Sequence, residues 1–148
     1  MKNKFLELAL NEAKLAYNKD EVPVGAVVVH NGEVIASAHN LRETSNSATA
    51  HAEILAIEKA CRVLGNWKLT DCDLYVTLEP CIMCAGAIIN ARIRSLYFGA
   101  YDPKAGACGS VTDVFRLNEL NHKVTVYAGI MEDECSEILE RFFKEKRK

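Results

Sequence analysis

The chain has 148 residues, of which 49% are hydrophobic and 26% are charged, a composition typical of one globular domain spanning residues 1–148. A domain of this size buries roughly two thirds of the surface of its unfolded chain and needs no disulfide to hold its core. Eighteen basic and twenty acidic residues give a formal net charge of -2, which argues against nucleic-acid binding by overall charge alone. Any contact with nucleic acid is therefore expected to be local.

The first residues interleave charges such as Lys2, Glu7 and Glu12 with apolar side chains, which is not the pattern of a signal peptide. The longest apolar run, over 81–89, is about half the length that a bilayer requires. We therefore expect a cytoplasmic protein with no membrane partner, in which the six cysteines stay reduced. They are interpreted as metal ligands or buried apolar residues and not as disulfides.

The N-terminal half of the chain predicts a helix, a hairpin and a second helix. Apolar residues recur at three- and four-residue steps over 5–17, which is the pattern of an amphipathic helix. Asn31-Gly32 is a strong two-residue turn between two β-branched or alternating runs, and Gly65 marks the end of a helix. The predicted elements are a helix over 5–17, strands over 25–30 and 33–39, a polar loop over 40–49 and a helix over 50–64.

The C-terminal half alternates strands with helices. Pro80 is predicted to open a helix, because proline suits the first turn, where its missing N–H costs nothing. The predicted elements are strands over 73–78, 95–100 and 124–128, helices over 81–91 and 132–148, and a glycine-rich loop over 102–110. Strand-helix-strand units imply right-handed crossovers between parallel neighbours. The chain is therefore predicted to fold as an α/β sandwich with a mixed sheet of about five strands.

Two short motifs carry candidate metal ligands, His51-Ala-Glu53 and Pro80-Cys81-x-x-Cys84. Cys81 and Cys84 are three residues apart, so on a helix they share one face, and a helix N-terminus favours the thiolate form. With His51 they offer two sulfurs and one nitrogen, a donor set that suits zinc better than magnesium or calcium. Three protein ligands leave a fourth position for water, so one zinc ion per chain is predicted.

The presence of Glu53 beside these ligands indicates that the metal site is catalytic. Residues two apart point about 200° apart around a helix, so His51 and Glu53 can flank one site only at the first turn. Zinc lowers the pKa of a bound water to near 7, and a carboxylate beside that water can accept its proton and pass it to a substrate. Glu53 is therefore the predicted catalytic residue.

Two other interpretations of the cysteines are open at this point. A Cys-x-x-Cys pair can be a redox couple, although that leaves His51-Ala-Glu53 unexplained. The pair can also be half of a closed structural zinc site, which requires a fourth ligand. Candidates for that ligand are Cys61, Cys72, Cys108, Cys135 and His122. Cys61 and Cys135 fall on apolar helix faces and are interpreted as core residues.

The two motifs together match the H-x-E and P-C-x-x-C signature of zinc-dependent nucleobase deaminases. Longer blocks over 21–26, 49–54, 75–88 and 98–110 resemble the bacterial tRNA-specific adenosine deaminases, within the cytidine and deoxycytidylate deaminase superfamily. This resemblance covers nearly the whole chain and implies a cytidine-deaminase-like, three-layer α/β/α sandwich. The loop over 41–47 is variable, which leaves open the side chains at the pocket entrance.

The resemblance implies hydrolytic conversion of adenosine to inosine at the wobble position of an arginine tRNA anticodon, by a homodimer. In this family a zinc-activated water attacks C6 of the base, and the residue matching Glu53 carries a proton to N1 and then to the departing ammonia. By the same match, Asn40 hydrogen-bonds the target nucleoside. Asp102 and Lys104 lie near the flipped-out base and its backbone.

The last eight residues, 141–148, place two aromatic side chains among five basic residues and one acidic residue. This segment therefore carries a charge of +4 and the rest of the chain -6. Arg141, Phe142, Phe143 and Lys144 are a mixture suited to stacking unpaired bases and holding phosphates. Alternatively, Phe142 faces the core and the basic end is solvated.

Two further functions remain open from the sequence. The first is deamination of free nucleobases or nucleotides of the guanine or cytosine type, which share the zinc signature. The second is a non-catalytic, zinc-stabilised RNA-binding module, in which Glu53 only favours the helix dipole. A tRNA anticodon stem-loop is the expected partner, and DNA is not.

Overall fold

The computed structural model describes residues 2–117, 120 and 122–147. Within them, four helices are α1 Lys4–Asn18, α2 Ala52–Leu64, α3 Ile82–Asn90 and α4 Glu132–Lys146. Five strands are β1 Gly25–His30, β2 Glu33–His39, β3 Cys72–Leu78, β4 Ser95–Ala100 and β5 Thr125–Tyr127. The strands form one sheet in the order β2-β1-β3-β4-β5. β1 is antiparallel to β2 and β3, whereas β4 is parallel to β3 and β5, which confirms the predicted mixed sheet.

The helices cover both faces of the sheet. α1 and α4 contact each other on one face, and α2 and α3 contact each other on the opposite face. Because helices lie on both sides, the side chains of Ala26, Val27 and Val28 are all completely buried, and β1 is the centre of the core. A side chain at Gly25 would lie 1.9 Å from the carbonyl oxygen of Ala9, so α1 packs directly on the backbone of β1.

Short-range signals position the hairpin and the first helix as predicted. Asn31 and Gly32 both have positive φ angles, 51° and 78°, which a type I′ turn requires. The side chain of Asn3 accepts hydrogen bonds from the backbone N–H groups of Phe5 and Leu6 and so caps α1. No helix formed by the described residues combines the length and apolar character needed to cross a bilayer.

Some predicted boundaries are wrong. Pro80 does not open α3, because Cys81 is the extended N-cap residue and the helix begins at Ile82. The carbonyl oxygen of Pro80 instead accepts the N–H of Ala107, which joins this segment to the glycine-rich loop. α4 ends at Lys146, and Lys148, which the predicted helix included, lies outside the described residues.

Two further sequence interpretations need correction or qualification. β5 is a short edge strand of three residues, whereas five were predicted. Cys61 is only partly buried, with its thiol 3.7 Å from the carbonyl oxygen of Trp67, so it lies at the margin of the core and not within it. Cys135 is completely buried, as predicted.

Candidate active site

The predicted metal ligands meet where β3 ends and α2 and α3 begin. His51 is the N-cap residue of α2, and Cys81 is the N-cap residue of α3, both with extended backbone. Neither side chain hydrogen-bonds the N–H groups of its own helix, so both are free to point into the space between the helix ends. Cys84 lies in the first turn of α3 and is completely buried. We call His51, Cys81 and Cys84 the metal-ligand corner.

The distances in the metal-ligand corner fit a zinc ion. His51 Nδ1 lies 3.7 Å from Cys81 Sγ and 3.5 Å from Cys84 Sγ, and the three ligand atoms all lie within 4.8 Å of one another. A tetrahedral ion bonded at about 2.3 Å to sulfur and about 2.0 Å to nitrogen holds those atoms about 3.5 Å apart. The donor set and its spacing therefore both suit zinc.

A fourth protein ligand is not found for this group within the described residues. Two of the candidates for a closed structural site have other partners: the thiol of Cys108 faces the carbonyl oxygen of Pro80, and His122 Nε2 faces the carbonyl oxygen of Ile93. The corner thus offers three ligands, which is the arrangement of catalytic zinc sites and not of closed structural ones.

Without a bound cation, Cys81 and Cys84 differ in protonation state. Hydrogen bonds from the Cys84 thiol and from His51 lower the pKa of Cys81, so its sulfur is a thiolate at neutral pH. The hydrogen bond to Cys81 and deep burial raise the pKa of Cys84, which keeps its proton. The hydrogen bond with Cys81 also raises the pKa of His51. A divalent cation that displaces these protons would hold both sulfurs as thiolates.

Glu53 lies in the first turn of α2 and is almost completely buried, with 4% of its surface exposed. Burial raises the pKa of its carboxyl group to about 7. It is not one of the three clustered ligands, although it faces the same cavity as His51 and Cys81. A carboxyl group with such a pKa can both accept and donate a proton near neutral pH, as general acid-base chemistry requires.

A cavity of about 260 Å³ opens beside the metal-ligand corner. Asn40 lies in its wall and is 7% exposed. Its Nδ2 donates a hydrogen bond to the carbonyl oxygen of Val22, and its Oδ1 accepts one from the N–H of Arg42. Each of these atoms has capacity for one more hydrogen bond, which a bound nucleoside could use.

The glycine-rich loop contributes a second wall. Asp102 and Ala105 line the cavity. Asp102 Oδ1 accepts hydrogen bonds from the N–H groups of Lys104 and Ala105 at 3.0 and 3.2 Å, so this carboxylate also fixes the turn of its own loop. Lys104 is exposed and does not line the cavity. The structure therefore brings Asp102, but not Lys104, together with the corner.

The predicted RNA-contacting residues of α4 lie outside this cavity. Phe142 is only 6% exposed and packs edge-on against Tyr17 of α1, so the interpretation of its ring as a base-stacking surface is wrong. Its place on the apolar face of α4 makes it part of the core. Phe143 is 44% exposed, Lys144 is exposed, and the guanidinium group of Arg141 stacks over the Tyr17 ring.

Two buried carboxylates beside the cavity were not predicted. Glu21 is 1% exposed and accepts hydrogen bonds from the N–H groups of Glu43 and Thr44, which fixes the loop at the pocket entrance. Glu79 is 2% exposed and accepts hydrogen bonds from the loop over 102–110. Burial alone would raise the pKa of each carboxyl group, but these hydrogen bonds outweigh it and hold both pKa values below the usual range.

A local signal for these two residues does exist in the sequence. Both acids lie close to a proline at the edge of an apolar run. Glu79 directly precedes Pro80, and one residue separates Glu21 from Pro23. A charged residue in such a position is either solvated or paired, and the sequence does not distinguish the two, because the donors come from distant loops.

The family model described as MafB19-like deaminase matches residues 1–147, so the chain is a member of the deaminase class whose H-x-E and P-C-x-x-C motifs it carries. A tRNA-specific adenosine deaminase of Bacillus subtilis is 50% identical over 144 residues, covering 97% of this chain and 89% of the relative. Another, of Agrobacterium fabrum, is 54% identical over 143 residues, covering 97% and 94%. The chain belongs to the family of the tRNA-specific adenosine deaminases.

A solved structure agrees with this assignment. It comes from a study of A-to-I editing by tRNA:A34 deaminases at the wobble position of transfer RNA. It matches this chain with a TM-score of 0.90 and 52% identity, covering 93% of this chain and 100% of the other. The family and the fold that the sequence motifs indicated are thereby confirmed.

Proposed function

We propose that this enzyme converts adenosine to inosine by hydrolysis at the wobble position of a tRNA anticodon, and that an arginine tRNA is its substrate. The observation that carries the proposal is the cavity that joins the metal-ligand corner to the buried Glu53. The family membership supports tRNA as the substrate class, because the relatives are named for that activity.

The metal in this proposal is one zinc ion per chain, held by His51, Cys81 and Cys84. When bound with three protein ligands, zinc supplies an activated water at its fourth position. The cytoplasm is the proposed location, since thiolate ligands stay reduced there.

The reaction exchanges the amino group of adenine for an oxygen and releases ammonia. Glu53 is the proposed proton carrier: it takes one proton from the attacking water and delivers it to N1, and it then carries the second proton of that water from the new C6 hydroxyl to the amino group, which leaves as ammonia. Burial raises the pKa of its carboxyl group to about 7, which suits both transfers. Asn40 is proposed to hydrogen-bond the nucleoside, with Asp102 beside the base and Lys104 near its backbone.

An anticodon loop suits this cavity better than a duplex does. A base must leave its stack to reach the ligands, and unstacking costs less in a single-stranded loop. Exposed Phe143, Arg141 and Lys144 are proposed to bind RNA outside the cavity, by stacking and by phosphate contacts.

The test is an incubation of the zinc-loaded protein with an arginine tRNA anticodon stem-loop, followed by nuclease digestion and mass spectrometry of the nucleosides. We expect inosine at the wobble position only. A stem-loop with guanosine at that position is the matched control. No inosine from protein with one zinc per chain would overturn the proposal, and equal conversion of anticodon loops from other tRNAs would remove the arginine specificity.

The same protein incubated with free nucleobases, nucleosides and nucleotides tests the alternative function. Ammonia released from guanine or cytosine compounds, with none from the stem-loop, would favour a free-base deaminase. No ammonia from any free compound would remove that alternative.

We also propose that the enzyme acts as a homodimer. Ile82, the first residue of α3, is 69% exposed, and Val63 of α2 is 61% exposed. These apolar side chains lie on the two helices that carry the metal-ligand corner and would be covered by a second copy. Sedimentation equilibrium at micromolar concentration should give twice the 16.4 kDa mass of the chain, and a monomer would contradict this part.

A further inference from the structure

We propose that Glu79 is a positioning residue, whose carboxylate fixes the loop over 102–110 as a wall of the base-binding cavity. This inference rests on the proposed function for its effect on catalysis, but not for its effect on the loop.

Both oxygens of Glu79 are fully used by the loop. Oε1 accepts the N–H of Asp102 at 3.0 Å and the hydroxyl of Ser110. Oε2 accepts the N–H groups of Cys108 and Ser110, each at 3.0 Å. The loop thus wraps its backbone donors around a negative charge, as such nests do around bound anions. A glycine-rich loop of this kind can bind a phosphate, but here the anion is a side chain of the same chain.

Glu79 lies two residues before the zinc ligand Cys81, directly after β3. Its own N–H donates to the carbonyl oxygen of Ala100 at 2.8 Å, and the N–H of Ala107 donates to the carbonyl oxygen of Pro80 at 2.9 Å. The residue that holds the cavity wall and the residue that holds the metal are therefore on the same strand end. Only Pro80 separates Glu79 from Cys81, so a shift of the loop held by Glu79 would act on the ligand position through a very short stretch of backbone.

Gly106 allows the loop to pass directly over the carboxylate. A Cβ atom at this position would lie 2.4 Å from Glu79 Cδ and 2.5 Å from both carboxylate oxygens. Such distances are impossible without a shift of the loop, because the carboxylate cannot retreat from its four hydrogen bonds. Asp102 and Ala105, which line the cavity, belong to this same loop and would move with it.

Simple packing does not require a charged side chain at this position. A charged group buried to 2% exposure is costly, and an apolar side chain of similar volume fills space at a lower cost. A carboxylate, unlike an apolar side chain, accepts hydrogen bonds from three backbone N–H groups of the loop and so fixes their orientation. The carboxylate therefore joins the two ends of the loop, Asp102 and Ser110, and helps to define the wall.

Glu79→Gln is the first test. The amide presents an NH2 group to one pair of loop donors, so at least one N–H loses its acceptor whichever way the side chain is turned. We expect amide hydrogen exchange over 102–110 to become at least 10-fold faster while zinc stays at one per chain. Misplacement of the wall by about 1 Å should lower kcat for the anticodon stem-loop about 100-fold.

Gly106→Ala is the second test, and it leaves the carboxylate unchanged. The added Cβ should displace the loop and give the same fast exchange and low kcat, with zinc retained. Glu33→Gln, at an exposed carboxyl group at the start of β2, is the control and should behave as the wild type.

The outcomes separate the inference from the proposed function. Wild-type kcat and wild-type exchange in folded, zinc-loaded Glu79→Gln and Gly106→Ala would overturn the inference. If Glu79→Gln does not fold, Gly106→Ala decides, and loss of zinc from Gly106→Ala would show a structural role and also overturn it. If the wild type makes no inosine, the proposed function fails, while faster exchange over 102–110 in the variants still supports the role of Glu79 in holding the loop.

Discussion

The metal-ligand corner and the C-terminal end of α4 are held by different kinds of contact. In the corner, His51 and Cys81 are N-cap residues of two helices, and Cys84 is completely buried, so backbone geometry decides where the ligand atoms lie. At the end of α4, Arg141 and Lys144 are exposed, and the guanidinium group of Arg141 stacks over the Tyr17 ring of α1. Metal binding at the corner depends on the positions of the ligand atoms within a few tenths of an ångström. The RNA binding proposed for the end of α4 depends on charge and on exposed aromatic rings. Three predictions test this difference, and a fourth tests the buried Glu21 beside the cavity.

Cys84→Ala should have the largest effect. It removes a buried ligand, so we expect zinc content to fall well below one per chain and inosine formation to become undetectable. Elemental analysis of the purified protein measures the zinc content, and the stem-loop assay measures inosine formation. Cys72→Ala, at another completely buried cysteine at the start of β3, is the matched control and should keep its zinc. Full zinc content in Cys84→Ala would break the assignment of the corner.

Phe142→Ala and Phe143→Ala compare two neighbouring rings of α4. Phe142 is buried against Tyr17, so its truncation should lower the free energy of unfolding by about 3 kcal/mol. Phe143 is 44% exposed, and its truncation should change that free energy by less than about 0.5 kcal/mol while weakening stem-loop binding by about 1–3 kcal/mol. Urea unfolding and fluorescence anisotropy measure the two effects. The reverse pattern would contradict the placement of both rings.

The double variant Arg141→Gln, Lys144→Gln should weaken stem-loop binding roughly 10-fold, or about 1.4 kcal/mol, and leave zinc content unchanged. If both side chains contact phosphates, the slope of log Kd against log salt concentration should become shallower by about 1.4 to 1.8, since each lost contact contributes about 0.7 to 0.9. Titrations at several salt concentrations measure it, and an unchanged slope would exclude phosphate contact. Deleting residues after Glu140 is a poorer test, because it also removes the buried Phe142.

Glu21→Gln should have the smallest effect, on stability as a function of pH. Hydrogen bonds hold the pKa of the buried Glu21 below its unfolded value, so its contribution is present above the unfolded pKa and is lost as pH falls through the folded one. We expect the variant to be less stable by about 1 kcal/mol at pH 7, and the difference to shrink in acid, below about pH 4. Thermal unfolding at several pH values measures it. A difference independent of pH would contradict this role for Glu21.

Local patterns predicted most of the fold. The strands over 25–30, 33–39 and 95–100 have the predicted bounds, because each is a short apolar or β-branched run between strong turn signals. The corner was predictable for a similar reason: its ligands are chemically distinctive and lie at helix starts. The place of Pro80 outside the helix was not predictable from the local sequence. Its carbonyl oxygen accepts a hydrogen bond from the N–H of Ala107, which belongs to a distant loop.

The remaining differences come from contacts between segments far apart in the chain. Glu79 receives its donors from residues 23 to 31 positions later, and Glu21 from residues 22 and 23 positions later, so no local period reveals either. Phe142 shares the apolar face of α4 with Cys135 and Leu139, but its burial depends on Tyr17 of α1. The sequence alone therefore left both interpretations of Phe142 open.

The central claim is that Glu53 moves the proton in a reaction at the metal-ligand corner. The most direct measurement compares inosine formation on the anticodon stem-loop by wild-type and Glu53→Ala protein, each loaded with one zinc per chain. We predict that Glu53→Ala keeps its zinc and is about 100- to 10,000-fold slower, since a positioned proton carrier contributes that much. Inosine formed by zinc-loaded Glu53→Ala at the wild-type rate would contradict the account.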